Sequence, residues 1–86
     1  MEAFVFINTH GESDASSVFK ALEELNHPGG RLTHLNMLKG PFNIVGRVES
    51  PDCEALGKLI VEGIQRVEGI TLTTTCLRTG NIYRAE

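Results

Sequence analysis

Two strand-like runs, Arg31 to about Lys39 and Phe42 to Glu49, are separated by little more than the pair Gly40-Pro41. Glycine admits a positive φ and proline fixes its own, so the stretch Met37-Leu38-Lys39-Gly40-Pro41-Phe42-Asn43 is a turn, and runs this close pair antiparallel as a hairpin. A hairpin in the middle of an 86-residue chain leaves few ways to arrange the rest.

The flanking segments settle the element order. Glu2 to Thr9 contains Ala-Phe-Val-Phe-Ile, aromatic and β-branched, and reads as a strand with Phe4 and Phe6 on one side and Val5 and Ile7 on the other. Apolar residues on both sides of a strand predict cover on both sides. Ala15, Val18, Phe19, Leu22 and Leu25 then recur at helical spacing, with Ser13 or Asp14 placed as the cap and Asn26-His27-Pro28-Gly29-Gly30 as the stop. In the hairpin, Leu32, His34, Asn36 and Leu38 are expected on one face and Thr33, Leu35, Met37 and Lys39 on the other. Gly46, in mid-strand, predicts the close approach of a helix or a backbone.

Ser50-Pro51-Asp52 marks a second helix start, with Ser50 as the capping hydroxyl. Leu56, Leu59, Ile60, Gly63, Ile64 and Val67 predict an amphipathic helix over about 52–67. After Glu68-Gly69, Ile70 to Arg78 alternates as a threonine-rich fourth strand, and Thr79 to Glu86 reads as a tail or short extra strand. The order β-α-β-β-α-β gives a ferredoxin-like α+β fold, a four-stranded antiparallel sheet with two helices on one face. Its other face has no helix to cover it. Phe4, Phe6 and Val45 are therefore expected at a dimer interface in which two sheets pack face to face as a dimeric α/β barrel.

Composition limits the function. The chain is one domain, 1–79, with 80–86 as a C-terminal tail, and it buries only about 60–65 % of its unfolded surface, so oligomerisation is the expected source of extra stability. Eight basic against eleven acidic residues give a net charge of -3, and the basic residues are dispersed, which disfavours nucleic-acid binding. No apolar run approaches the ~20 residues of a membrane span, so a soluble, cytoplasmic protein is expected. Cys53 and Cys76 could form one bridge but read first as two buried free thiols. His10, His27 and His34 lie on three elements at no metal-ligand spacing, and no nucleophile constellation is present, so neither metal, cofactor nor enzymatic activity is expected.

Ala3-Phe4-Val5, Gly40-Pro41-Phe42-Asn43 with Ile44-Val45-Gly46-Arg47-Val48, Glu68-Gly69-Ile70 and Thr73-x-Thr75 together resemble the effector-binding (RAM) domain of Lrp/AsnC transcription regulators, over about residues 2–78. That hairpin typically reads Gly-x-Tyr-Asp. Here Phe42 replaces tyrosine and Asn43 aspartate, and the Pro28-Gly29-Gly30 turn is a residue longer than usual. The resemblance implies a stand-alone form without the helix-turn-helix domain, and hence no direct DNA binding. It implies homodimers assembling into octamer- or decamer-like rings, an amino acid or related metabolite bound between dimers, and co-assembly with full-length relatives. By the same resemblance Gly40, Phe42 and Asn43 are the site candidates, with Met37, Lys39, Thr73 and Thr75 lining the same cleft.

Two other readings share the strand order. A cofactor-free monooxygenase of the dimeric α/β-barrel group would hold substrate between sheet and helices, with His34 and Asn36 as its polar cluster. An ACT-type amino-acid sensor would use the loop Asn8-Thr9-His10-Gly11.

Overall fold

The computed structural model describes residues 1–80; of the expected tail at 80–86, residues 81–86 lie outside the described residues. β1 (Glu2–Thr9), α1 (Glu12–Glu23), β2 (Arg31–Met37), β3 (Ile44–Glu49), α2 (Cys53–Lys58) and β4 (Ile70–Leu77) follow in the expected order. All pairings are antiparallel and the sheet order is β2-β3-β1-β4, the ferredoxin-like topology. β1, the strand that is apolar on both sides, lies inside the sheet, where two neighbours satisfy its backbone.

Register fixes what each face carries. Val5 stands opposite Gly46 and Thr75, and Ile7 opposite Ile44 and Thr73, on the side that both helices cover. There Ala3, Val5, Ile7, Ile44 and Val48 pack with Val18 and Leu22 of α1 and with Leu56, Leu59, Ile60 and Ile64, all buried. Phe4 and Phe6 are opposite Arg47 and Val45 on the other, open face.

The helix ends differ from the sequence reading. Gly11 is the N-cap of α1, its carbonyl accepting from the amides of Asp14 and Ala15, and no side chain caps it. Ser13 and Asp14 have already entered the helix, so neither is placed as the cap. Asp52, not Ser50, caps α2, its carboxylate accepting from the Ala55 amide at 2.8 Å. Ser50 is buried instead, and its hydroxyl donates to the Gly29 carbonyl at 2.6 Å. This ties the turn between α1 and β2 to the end of β3. The second helix begins at Cys53, runs on through a π-helical turn, Leu59–Gly63, and ends in a 3-10 turn, Ile64–Arg66. The wide turn keeps Leu59, Ile60, Gly63 and Ile64 against the core, so the apolar periodicity survives a change of helix type. Around Gly57 there is open space, and a Cβ on Gly63 would make only ordinary contacts, so neither glycine is required by close packing.

The alternation expected in β2 is broken. Thr33 stands opposite Arg47 but Asn36 opposite Val45, so one extra residue is accommodated between them as a bulge, with His34 at a φ of 53°. Leu32 and Leu35 consequently share the helix side, where a Cβ on Gly46 would lie 2.9 Å from Leu35 Cδ2 and 3.0 Å from Leu32 Cδ2. Gly46 makes room for two leucines of the neighbouring strand rather than for a helix or a backbone. Both cysteines are free and exposed, not buried. Cys53 opens a surface helix, and Cys76 faces outward from an edge strand opposite Phe4.

Candidate functional site

The hairpin connection is longer than its glycine and proline suggest. β2 ends at Met37 and β3 begins at Ile44, leaving six residues, closed by the Leu38 amide donating to the Asn43 carbonyl at 2.8 Å. Gly40 at its tip has a φ of 137°, which strains any residue with a Cβ. Met37, Leu38, Lys39, Gly40 and Pro41 are all exposed.

Phe42 and Asn43 are excluded from the expected third strand because they bond sideways, to β1. The Asn43 amide donates to the Ile7 carbonyl at 2.9 Å, and Asn43 Oδ1 accepts from the Thr9 amide at 2.8 Å. The Thr9 hydroxyl, 3.2 Å from Asn43 Oδ1, is nearer the Gly11 carbonyl at 2.8 Å. From the same strand end, Asn8 Nδ2 donates to the Pro41 carbonyl at 2.6 Å. The Phe42 ring lies on that of Phe6, centroids 5.0 Å apart and tilted by 43°. The carboxamide oxygen of Asn43 is therefore committed to holding the loop on β1. Its Nδ2 and the aromatic pair remain at this end of the open face, and the exposed Lys39 belongs to the same loop.

Thr73 and Thr75 are not brought to this loop within one copy. They stand on the helix side of edge strand β4, opposite Ile7 and Val5, and Thr73 Oγ1 accepts from Gln65 Nε2 at 2.9 Å. Phe4, Phe6 and Val45 do share the open face.

A second cluster was not anticipated. At the far end of the open face Glu2 is clasped between Arg47 and Arg78, with Arg78 Nη1 at 2.5 Å from Oε1 and Arg47 on Oε2. Removal from water raises the Glu2 carboxyl pKa, but the hydrogen bonds and charges of Arg47 and then Arg78 outweigh this and hold it below the usual glutamate range. Arg31 pairs with Glu49 beside them at 3.3 Å. A shallow groove of about 600 Å³ opens at this end, lined in part by Glu2, Arg31, Arg47 and Glu49 and by no residue of the hairpin loop. Only the strand register assembles this cluster; nothing in the local sequence around Glu2 announces it.

The histidines are apart. His10 is an exposed loop residue and His34 an exposed bulge residue on the edge strand, remote from any space between sheet and helices. His27 accepts the Gly29 amide on Nδ1 at 2.9 Å and meets Glu62 at 3.1 Å through Nε2, which makes it a brace between the turn and α2. Among the described residues no three His, Cys, Asp or Glu side chains are grouped to hold a metal, and no helix is long and apolar enough to cross a membrane. Of the loop Asn8-Thr9-His10-Gly11, Asn8, Thr9 and Gly11 are occupied in internal bonds.

This arrangement of sheet, helices and hairpin loop has the same fold as AsnC and other transcription regulators of Lrp/AsnC type. The structure is similar to TTHA0845 from Thermus thermophilus, at 28% identity and a TM-score of 0.81, over 96% of this chain and 98% of that one. It is similar to E. coli AsnC, at 23% identity and a TM-score of 0.82, over 99% of this chain but 55% of AsnC. It is also similar to the transcriptional regulator NMB0573 of Neisseria meningitidis, in its complex with L-Met, at 16% identity and a TM-score of 0.78, over 96% of this chain and 52% of that protein. The chain thus spans nearly the whole of the first and about half of the two regulators. No sequence-family profile and no curated protein sequence matches it.

Proposed function

We propose that the protein is a non-enzymatic, ligand-responsive regulatory and assembly module of Lrp/AsnC type. Copies pair through their open sheet faces, and the paired bodies meet at the hairpin loops. A small metabolite of amino-acid type bound at that seam controls further assembly, and co-assembly with full-length regulators carries the signal to transcription. The observation that carries this reading is the asymmetry of the sheet. One face is buried under both helices, while Phe4, Phe6, Phe42 and Val45 on the other have no layer above them among the described residues. Phe4 is 38% exposed and the other three are half-buried, so covering them stabilises by a fraction of the roughly 1.5–3 kcal/mol that full burial of each would supply, and that gain favours association. The likeness to AsnC and to the L-Met complex of NMB0573 supports the choice of function and ligand class.

Light scattering with and without a panel of amino acids tests this. The expected result is a dimer or larger species at micromolar concentration, shifted in mass by at least one amino acid and lowered in mass by Phe6→Glu. A monomeric parent protein would overturn the reading. The oxygenase alternative draws no support from His34, which is exposed on an edge strand.

A further inference from the structure

The open face is apolar at one end and charged at the other. Phe4, Phe6, Phe42 and Val45 lie toward the hairpin loop, and Glu2, Arg47, Arg78, Arg31 and Glu49 occupy the opposite end. The charges there do not balance. Arg31 and Glu49 pair one to one, but Arg47 and Arg78 share the single carboxylate of Glu2. The depressed carboxyl pKa keeps Glu2 ionised at neutral pH, so it cancels one guanidinium and leaves the other in excess. Donors are in surplus as well. Two guanidinium groups carry more N–H bonds than one carboxylate can accept, and Arg47 Nε, shut off from water, finds no acceptor among the described residues.

In a single copy water screens this excess, since each arginine side chain is 33% exposed and that of Glu2 25%. Face-to-face pairing, as proposed above, removes much of that water. An uncompensated charge taken out of water opposes association. The partner has nothing to cancel it with. Its open face is the same surface, and the acids on that face among the described residues, Glu2 and Glu49, are already paired. Whichever end of the partner lies over the cluster, each copy brings one more positive charge than negative. A free anion is the remaining counter-charge. The groove of about 600 Å³ beside the cluster gives it a way in, because the groove runs past the strand ends to Pro28, Gly30 and Pro51.

We propose that the Glu2–Arg47–Arg78 cluster of each copy binds a small oxyanion, a phosphate or a carboxylate, when two open faces meet, and that this anion sets the strength of the pairing. The inference rests on the face-to-face reading but concerns a site at the other end of the sheet from the hairpin seam. Guanidinium groups suit such a ligand, because their planar N–H pairs match the geometry of an oxyanion. Anion and partner are then coupled, each raising the affinity for the other.

The test follows the dimer dissociation constant of the full chain by sedimentation equilibrium at neutral pH. Sodium chloride is replaced stepwise by sodium phosphate or sodium succinate at fixed ionic strength, which holds screening constant. Each occupied site multiplies the dimerisation constant by 1 + [anion]/Kd, so with two sites the constant should rise about tenfold or more once the anion is a few times its Kd. The two salts tell phosphoryl from carboxylate ligands. Arg78→Gln removes the excess charge. It should pair more tightly than the parent in chloride and gain less than about twofold from either anion. Glu2→Gln leaves two guanidinium groups uncancelled, so it should pair weakly in chloride and respond to the anion more steeply than the parent. A dimer indifferent to both anions overturns the proposal and leaves the face-to-face reading standing. A response of parental size in Arg78→Gln, or one no steeper in Glu2→Gln, also overturns it, since salting-out of apolar surface would then be the cause. Should Arg78→Gln not fold, Glu2→Gln decides. A chain that is monomeric in every buffer sinks both readings.

Discussion

Asn43→Ala is the sharpest test of how the hairpin loop is held. The substitution removes the oxygen that accepts the Thr9 amide at 2.8 Å, while the Asn43 backbone bond to Ile7 is retained. Thr9 is half-buried, so its amide is left partly without water, and an orphaned donor of this kind costs about 1–3 kcal/mol. With a urea slope near the low end for small proteins, about 1 kcal/mol per M, the midpoint should fall by roughly 1–3 M. Asn43→Asp retains the acceptor and makes it charged, and hydrogen bonds to charged groups are worth about 1.5–3 kcal/mol. It should restore the midpoint or exceed it at neutral pH. The measurement is urea unfolding of the three proteins at one fixed concentration, since association couples to stability. A loss below about 0.3 kcal/mol in Asn43→Ala, or a loss in Asn43→Asp equal to it, would refute the role assigned to this oxygen. Asn43 would then be free for direct ligand contact.

Gly57→Ala, in α2 with open space around the new methyl, should raise stability by about 0.5–1 kcal/mol in the same assay. Gly46→Ala should lower it by about 1–3 kcal/mol, because the methyl meets both Leu32 and Leu35, and Leu35→Ala should recover part of the loss. Glu2 has its carboxyl pKa depressed by Arg47 and Arg78, so its stabilisation is complete above the unfolded-state pKa and is lost as pH falls through the lower folded value. Urea midpoints from pH 7 down to pH 3 should therefore drop less steeply in Glu2→Gln than in the parent.

Element order, the faces of β1 and the core side of both helices were legible because each rests on local periodicity. Phe4 and Phe6 part from Val5 and Ile7 by simple alternation, and Leu56 to Ile64 keep their stripe even through the π-helical turn. What stayed hidden depends on partners distant in sequence. The slip at His34 is set by what β2 meets on β3, and no pattern in Leu32-Thr33-His34-Leu35 distinguishes it from even alternation. Ser50 has the chemistry of a cap, but the Gly29 carbonyl, which α1 and its turn bring beside it, takes the hydroxyl. Of the hairpin residues, the sequence placed Asn43 at the loop without revealing that its oxygen is spent on Thr9. The Glu2 cluster needs three segments in register before it exists.

The bulge in β2 has a consequence for chain length. Thr33 and Arg47 sum to the same register as Asn36 and Val45 once a single residue is taken out between them. Deleting His34 would therefore leave Leu32 and Leu35 over Gly46 and keep Thr33 and Asn36 on the opposite side. The shortened chain should fold to the same core, with a straight β2 in place of a kinked one. Its outer backbone groups would then stand in an even row, with no bulge to keep a further strand from pairing with them. One residue thus decides whether this margin of the sheet is guarded.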